Sequence, residues 1–208
     1  MTDLPVISLD PRDVERVAQV HIAAFPHSFL SKLGPAALSR YYAWQLCGPH
    51  FVVAQGVEIH GRLAGFCISG VFRAAMLGFL RRNLGLLARE LVRRPGLVCT
   101  RLFAGRLVSG LYLFLRPRGE AVKSLDNPYR VLSLAVHPEF HGEGIGRTLL
   151  EAAERAARTS GVAKMSLRVD PFNEPAIHLY KSQGWSECLE GGCWQGLMVR
   201  ALGDAGLR

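Results

Sequence analysis

Seven consecutive residues, His141-Gly142-Glu143-Gly144-Ile145-Gly146-Arg147, are best placed to do chemistry in this chain. They follow an apolar run at 130–136, which reads as a strand. They precede a helix-period stretch at 147–160. Strand, glycine-rich turn and helix in that order can hold a phosphate. Glycines let the backbone approach an anion closely, and the first amides of the helix point outward with the positive end of its dipole behind them. Arg147 adds a charge. No G-K-[ST] follows, so this is not a P-loop, and the G-x-G-x-x-G spacing of a dinucleotide site is missing. A glycine-rich turn with no ligand is the plain alternative on spacing alone. A second candidate is Tyr180. Ala176 and Ile177 lie four and three residues before it, on one face of a short helix at 174–183, so Tyr180 looks inward. Its alternative is a core aromatic with a satisfied hydroxyl.

Read together, LAVHPEFHGEGIGRTLLEAAERAA and, about 25 residues on, NEPAIHLYKSQGW resemble the GNAT superfamily of acetyl-CoA-dependent N-acetyltransferases. The first block matches its strand–V-x-P-x-x-[RQ]-G-x-G-[IV]-G–helix motif. The second matches its N-x-x-[AS]-x-x-[LF]-Y-x-x-x-G-[FW] block. Together they cover roughly residues 129–189. One departure stands out: His141 occupies a position where the family usually has Arg or Gln.

The resemblance implies a fold and a set of roles. The fold is α+β, a mixed, mostly antiparallel sheet of about six or seven strands flanked by helices. A helical insertion precedes the cofactor-binding strand. Acetyl-CoA is the implied donor, with no metal. Its pyrophosphate would lie on the amides of Gly142, Glu143, Gly144, Ile145 and Gly146, near Arg147, with His141 contributing through its amide. The pantetheine arm would pair with the backbone of Leu134, Ala135 and Val136, and Asn173 would fall near that arm. The Val136 amide would face the developing oxyanion. Tyr180 would give its proton to the departing thiolate. Many relatives carry an acid on the strand before the turn, but 129–136 has none. Ser133, holding a water, is the candidate there; His137, His21, His27 and Asp170 are the others, each more often structural than catalytic.

The implied activity is acetyl transfer to a primary amine by direct attack in a ternary complex. The alternatives are a non-catalytic acyl-CoA-binding or interaction module and a protein or peptide N-acetyltransferase. The stretch HIAAFPHSFLSKLGPAALSRYY also resembles GNAT members of bacterial surface-polysaccharide gene sets. That points to a small-molecule acceptor, a nucleotide- or lipid-linked amino sugar. A polycation would be repelled by the arginines described below, and a pyrophosphate-linked sugar attracted.

The supporting elements follow from periodicity. A short strand at 6–9 leads to a helix capped by Asp10 or Asp13 and running to about residue 25. Residues 26–31 read as a loop and 35–46 as a second helix. Strands at 51–59 and 63–71 form a hairpin turning at Gly61. Met76, Leu80, Leu84, Leu87 and Leu91 then step along one face of a single helix, opposite Arg82, Arg89 and Arg93. After the glycine-rich turn, Leu149, Ala152, Ala153, Ala156 and Ala157 share the inner face of the next helix, opposite Glu151, Glu154, Arg155 and Arg158. Further strands are expected at 163–169, 185–189 and 194–200.

Length and composition bound the rest. The 208 residues suit one domain, 1–208, carrying the insertion at about 72–128. The net charge is +8, and ten arginines against Glu90 give residues 72–118 a charge of +9, leaving the remainder near −1. A basic block confined to one segment argues for a local surface and against nucleic acid, since Phe103, Tyr112 and Phe114 sit in apolar runs rather than between basic residues. The resemblance puts that segment at the acceptor end of the cleft. Peripheral contact with an anionic membrane, packing on the core and a homodimer interface are the readings left open for its leucine stripe. No run spans a bilayer, and the first ten residues lack the features of a signal peptide. Five scattered cysteines without a C-x-x-C pair read as reduced thiols, so a cytoplasmic location is expected.

Overall fold

The computed structural model describes residues 4–72, 75–93 and 129–203. The chain divides into two units, one formed by Asp10–His50 with Arg73–Asp126, the other by Met1–Leu9, Phe51–Phe72 and Asn127–Arg208.

The described residues of the first unit are helical. Asp10 and Asp13 share the start: they form a reciprocal capping box around a single 3₁₀ turn, Pro11–Asp13, and α1 (Val14–Ala24) continues from it. Val17, Ala18, Val20 and His21 face inward. A short helix, α2 (Phe29–Leu33), begins halfway through the stretch expected to be a loop. Ser28 starts it by accepting the Ser31 amide at 3.1 Å, and Gly34 ends it at φ 93°. Pro35 then opens α3 (Pro35–Cys47) at a position where a missing N–H costs nothing.

The single helix expected from the leucine spacing is two helices, α4 (Ala75–Arg82) and α5 (Leu84–Arg93). Asn83 makes the break. Its side-chain amide donates to the Phe79 carbonyl at 2.9 Å, beside its own backbone amide at 3.0 Å, and so folds back onto the end of α4. The break also divides the stripe. Leu87 is buried at 8% exposure, whereas Leu84 is turned outward at 63%. Residues 94–128, which hold the rest of the expected insertion, Cys99 included, lie outside the described residues.

The second unit is built on a sheet. Its strands are β1 (Val6–Ser8), β2 (Phe51–Ile59), β3 (Arg62–Val71), β4 (Tyr129–Val136), β5 (Lys164–Arg168), β6 (Ser186–Glu190) and β7 (Cys193–Ala201). They lie in the order β1-β2-β3-β4-β5-β7-β6, parallel only between β4 and β5. The β2–β3 hairpin closes through His60 and Gly61, both at positive φ, which matches strand twist. Two helices complete the unit, α6 (Ile145–Thr159) and α7 (Glu174–Ser182). Leu149, Leu150, Ala153 and Ala157 of α6 join Ala64, Cys67, Met165 and Met198 in one buried cluster. Close packing needs Gly65 on β3, where a Cβ would stand 2.9 Å from Ile145 Cγ2. Glu154, expected on the outer face of α6, is instead buried. No described helix is long and apolar enough to cross a membrane.

Candidate active site

Between β4 and α6 the chain makes one 3₁₀ turn, Pro138–Phe140, capped by His137, whose Nδ1 accepts the Glu139 amide at 3.3 Å. Gly142 and Gly144 follow at φ 87° and 81°, a backbone region that side chains disfavour. A Cβ at either would meet nothing within 4 Å, so the space outside the turn is open. Gly144 caps α6 with no side chain bonded to the first amides. The first turn holds no acid, and Arg147 sits there against the helix dipole. Open amides, a cation and bare glycine backbone form a cradle whose electrostatics favour an anion.

The strand before the turn parts early from its parallel neighbour. β4 pairs with β5 only at Arg130↔Ser166 and Val131↔Leu167. Opposite β3, its register shifts between Val131 and Ser133, so Leu132 is an extra residue. Such a bulge bends a strand and increases its twist, and here it coincides with the point where β4 leaves β5. His137 donates its amide to the Ala64 carbonyl at 2.8 Å. By alternation Ser133 and Ala135 also turn their backbone groups to β3, while Leu134 and Val136 turn theirs to the side that β5 has left. The Val136 carbonyl lies 3.1 Å from His141 Nε2. His141 therefore reaches back across its own turn and ties it to the strand.

α7 approaches from the other side. Asn173 caps it, its Oδ1 accepting the Ala176 amide at 3.2 Å. Leu179 reaches the start of α6, where a Cβ on Gly146 would lie 3.1 Å from Leu179 Cδ2 and 3.8 Å from Val136 Cγ2. Strand, turn helix and α7 thus converge on Gly146. One residue further along α7, Tyr180 is buried at 8% exposure, and burial first, then the neighbouring Cys67 thiol, push its hydroxyl well above the ordinary tyrosine range. Burial alone pushes Cys67 up to about 12.

The candidate bases are dispersed. Ser133 lies on the face of β4 opposite Leu134 and Val136. His137 is engaged at its own turn, with Glu139 Oε2 3.9 Å from Nδ1. Asp170 is exposed and accepts the Phe172 amide at 3.0 Å. His27 is exposed. His21 belongs to the helical unit, where its Nδ1 lies 2.6 Å from the Tyr42 hydroxyl and burial lowers its pKa to about 4. Sequence reasoning passed over Cys67 and placed Glu154 on the surface. Cys67 sits among apolar β3 residues, and Glu154 reads as one of several surface acids until its partner is known. Among the described residues no group of three His, Cys, Asp or Glu is placed to hold a metal ion.

A family model described as the acetyltransferase (GNAT) family matches residues 14–185. Mycothiol acetyltransferase of Propionibacterium freudenreichii is 34% identical over 105 residues, 48% of this chain and 30% of that protein. The ribosomal protein bS18-alanine N-acetyltransferase of Salmonella typhimurium is 40% identical over 57 residues, 27% of this chain and 38% of that protein. The aligned parts are thus about a third of each relative's length. The crystal structure of PaiA N-acetyltransferase from Thermoplasma acidophilum, in complex with coenzyme A, superposes with a TM-score of 0.57 at 15% identity, covering 95% of this chain and 98% of that one. At that identity the likeness is one of fold.

Proposed function

Because the chain belongs to the GNAT acetyltransferase family, we propose that it transfers an acetyl group from acetyl-CoA to a primary amine. The observation that carries this is the parting of β4 from β5 beside a glycine-rich helix start that has no side-chain cap. The residues fit the donor. The amides of Gly142 through Gly146, with Arg147, would hold its pyrophosphate. Leu134 and Val136 offer backbone groups to an extended arm lying where β5 has left, with Ala135 between them completing the strand. When bound, acetyl-CoA supplies an activated acyl group. The acceptor nitrogen forms a bond to the acyl carbon, the carbon–sulfur bond breaks, and the Tyr180 hydroxyl gives its proton to the sulfur. The Val136 amide offers a hydrogen bond to charge gathering on the acyl oxygen.

The surroundings of Tyr180 suit that role. Burial keeps the phenol protonated, and the same environment drives the Cys67 thiol up to about 12. A thiolate released beside these groups would have its proton affinity raised in the same way, so burial of the phenol does not turn the transfer uphill. Ser133 is our candidate for holding the water that takes the amine proton.

For the acceptor we propose a small molecule, an amino sugar carrying a nucleotide or lipid pyrophosphate, because the excess positive charge is confined to one segment. An anionic surface is the second partner that charge favours. The outward side of α4 and α5 combines Leu84 and Val92, 63% and 80% exposed, with exposed Arg82, Arg89 and Arg93. The test of the activity is a panel of glucosamine, a UDP-linked amino sugar, spermidine and a peptide with a free amino-terminal alanine. Each is mixed with acetyl-CoA, and free thiol is measured. Turnover with the sugar nucleotide is expected. Turnover with the peptide alone would replace the acceptor assignment, and none at all would leave a coenzyme-binding module.

A further inference from the structure

A buried polar chain runs from α6 to the turn after α7. Glu154 is 9% exposed, and its Oε1 accepts the indole N–H of Trp185 at 3.1 Å. Its Oε2 faces Arg200 Nε of β7 at 3.6 Å. Trp185 itself is buried, its amide donates to the Tyr180 carbonyl at 3.0 Å, and its ring is tilted 54° against the Tyr180 ring at 6.1 Å. Gly184 makes the fold-back at φ 76°, where a Cβ would run into the Arg200 guanidinium.

We propose that Glu154 and Trp185 form a clamp that positions Tyr180 for the transfer step; this rests on the reading of Tyr180 as the proton donor. Two features argue for more than packing. A carboxylate taken out of water, with only a partly exposed arginine 3.6 Å away, gains little stability over an apolar side chain of the same volume. A buried indole N–H needs an acceptor, and the one provided lies on the helix whose first turn forms the anion cradle. From Gly144 to Glu154 is ten residues, about 15 Å of α-helix. One rigid element therefore carries the proposed pyrophosphate site at its end and, through Trp185, the side wall of Tyr180. Distance and tilt between donor arm and proton donor are set together, and small misplacements of reacting groups cost large factors in rate.

Three variants separate the clamp from packing. Glu154→Leu removes the acceptor, Trp185→Phe removes the donor, and Glu154→Gln keeps an oxygen for the indole N–H. Each is made alone and in a Tyr180→Phe background. Rates are read with acetyl-CoA and whichever amine of the panel turns over fastest, alongside melting temperature. Glu154→Leu and Trp185→Phe are expected to lower kcat about 10-fold with the KM for acetyl-CoA nearly unchanged. Glu154→Gln is expected within about two-fold of wild type. In the Tyr180→Phe background Trp185→Phe should add nothing further. An equal loss in both backgrounds, or a lower melting temperature with unchanged kcat, overturns the clamp and leaves Tyr180 as donor. Wild-type kcat in Tyr180→Phe alone, or no turnover across the panel, overturns the donor reading, and the clamp with it. A Glu154→Leu protein that fails to fold leaves Trp185→Phe to decide.

Discussion

Tyr180 and His21 are both buried, and burial gives them opposite assignments. Removing water disfavours whichever form is charged. For Tyr180 that preserves the hydroxyl proton. Tyr180→Phe keeps the ring and its contact with Trp185 and loses only the hydroxyl. It should lower kcat by roughly 10²- to 10⁴-fold and leave coenzyme A affinity almost unchanged by calorimetry. Wild-type turnover would reduce Tyr180 to packing. For His21 burial preserves the neutral ring. One proton chain fits: Tyr42 donates to Nδ1 at 2.6 Å, Nε2 donates to Ser28 Oγ at 3.3 Å, and Ser28 donates to Ser31 Oγ at 2.8 Å. A second proton on the ring would cost it the bond from Tyr42. With a pKa near 4 in the fold against 6.5 unfolded, the unfolded chain binds the extra proton first as pH falls. Stability attributable to His21 is therefore intact above pH 6.5 and is lost on acidification through 6.5 to about 4, on the order of 3 kcal/mol in all. Urea denaturation at pH 7.5 and 5 should show the loss, and His21→Gln should shrink it. An undiminished pH dependence in that variant would place its source elsewhere.

Among the elements, the glycine-rich turn and α6 make the sharpest case. Gly144→Glu puts a side chain and a charge into open space at φ 81°, so the fold should lose only about 1 kcal/mol. The rise in melting temperature on adding coenzyme A should vanish, while Gly144→Ala, with the same backbone strain, should retain part of it. A full shift in the glutamate variant would remove the pyrophosphate from this turn. What the sequence disclosed follows a physical line. The turn, Tyr180 and the β2–β3 hairpin are visible because glycine placement and short periodicities are local properties. The break at Asn83 is a weaker local signal, one amide against four leucines, and α2 is a single turn announced only by Ser28 and Gly34. The Glu154–Trp185 bond joins positions 31 apart on different elements, so no periodicity reports it. The bulge at Leu132 belongs to the pairing of two strands and not to either alone.

Across the whole molecule charge is distributed very unevenly. Residues 72–118 carry +9 of a net +8, so any long-range field comes from that segment. The described part of it, α4 and α5, does not present a simple leucine face. Phe79 and Leu87 are buried, while Leu84 and Val92 are exposed. The arginines are not equally available either. Arg82 lies over the Trp44 ring at 5.8 Å, and Arg89 and Arg93 flank the buried Glu90 carboxylate at 3.7 and 3.5 Å. Reversing these arginines would bring new acids beside Glu90 and confound binding with stability. The cleaner change is Leu84→Ser with Val92→Ser, which alters exposed positions where substitutions usually shift stability by no more than about 0.5 kcal/mol. Each basic residue near an anionic surface contributes about 1 kcal/mol, so the segment's arginines suffice for reversible binding, and two apolar side chains entering the interface add to it. The protein should therefore co-sediment with vesicles of equal phosphatidylglycerol and phosphatidylcholine at low salt and be released at high salt. It should ignore pure phosphatidylcholine, and the double serine variant should bind several-fold more weakly at an unchanged melting temperature. Equal binding by variant and wild type would assign attraction to charge alone, and absence of binding to the anionic vesicles would return the arginine-rich segment to the acceptor or to the fold.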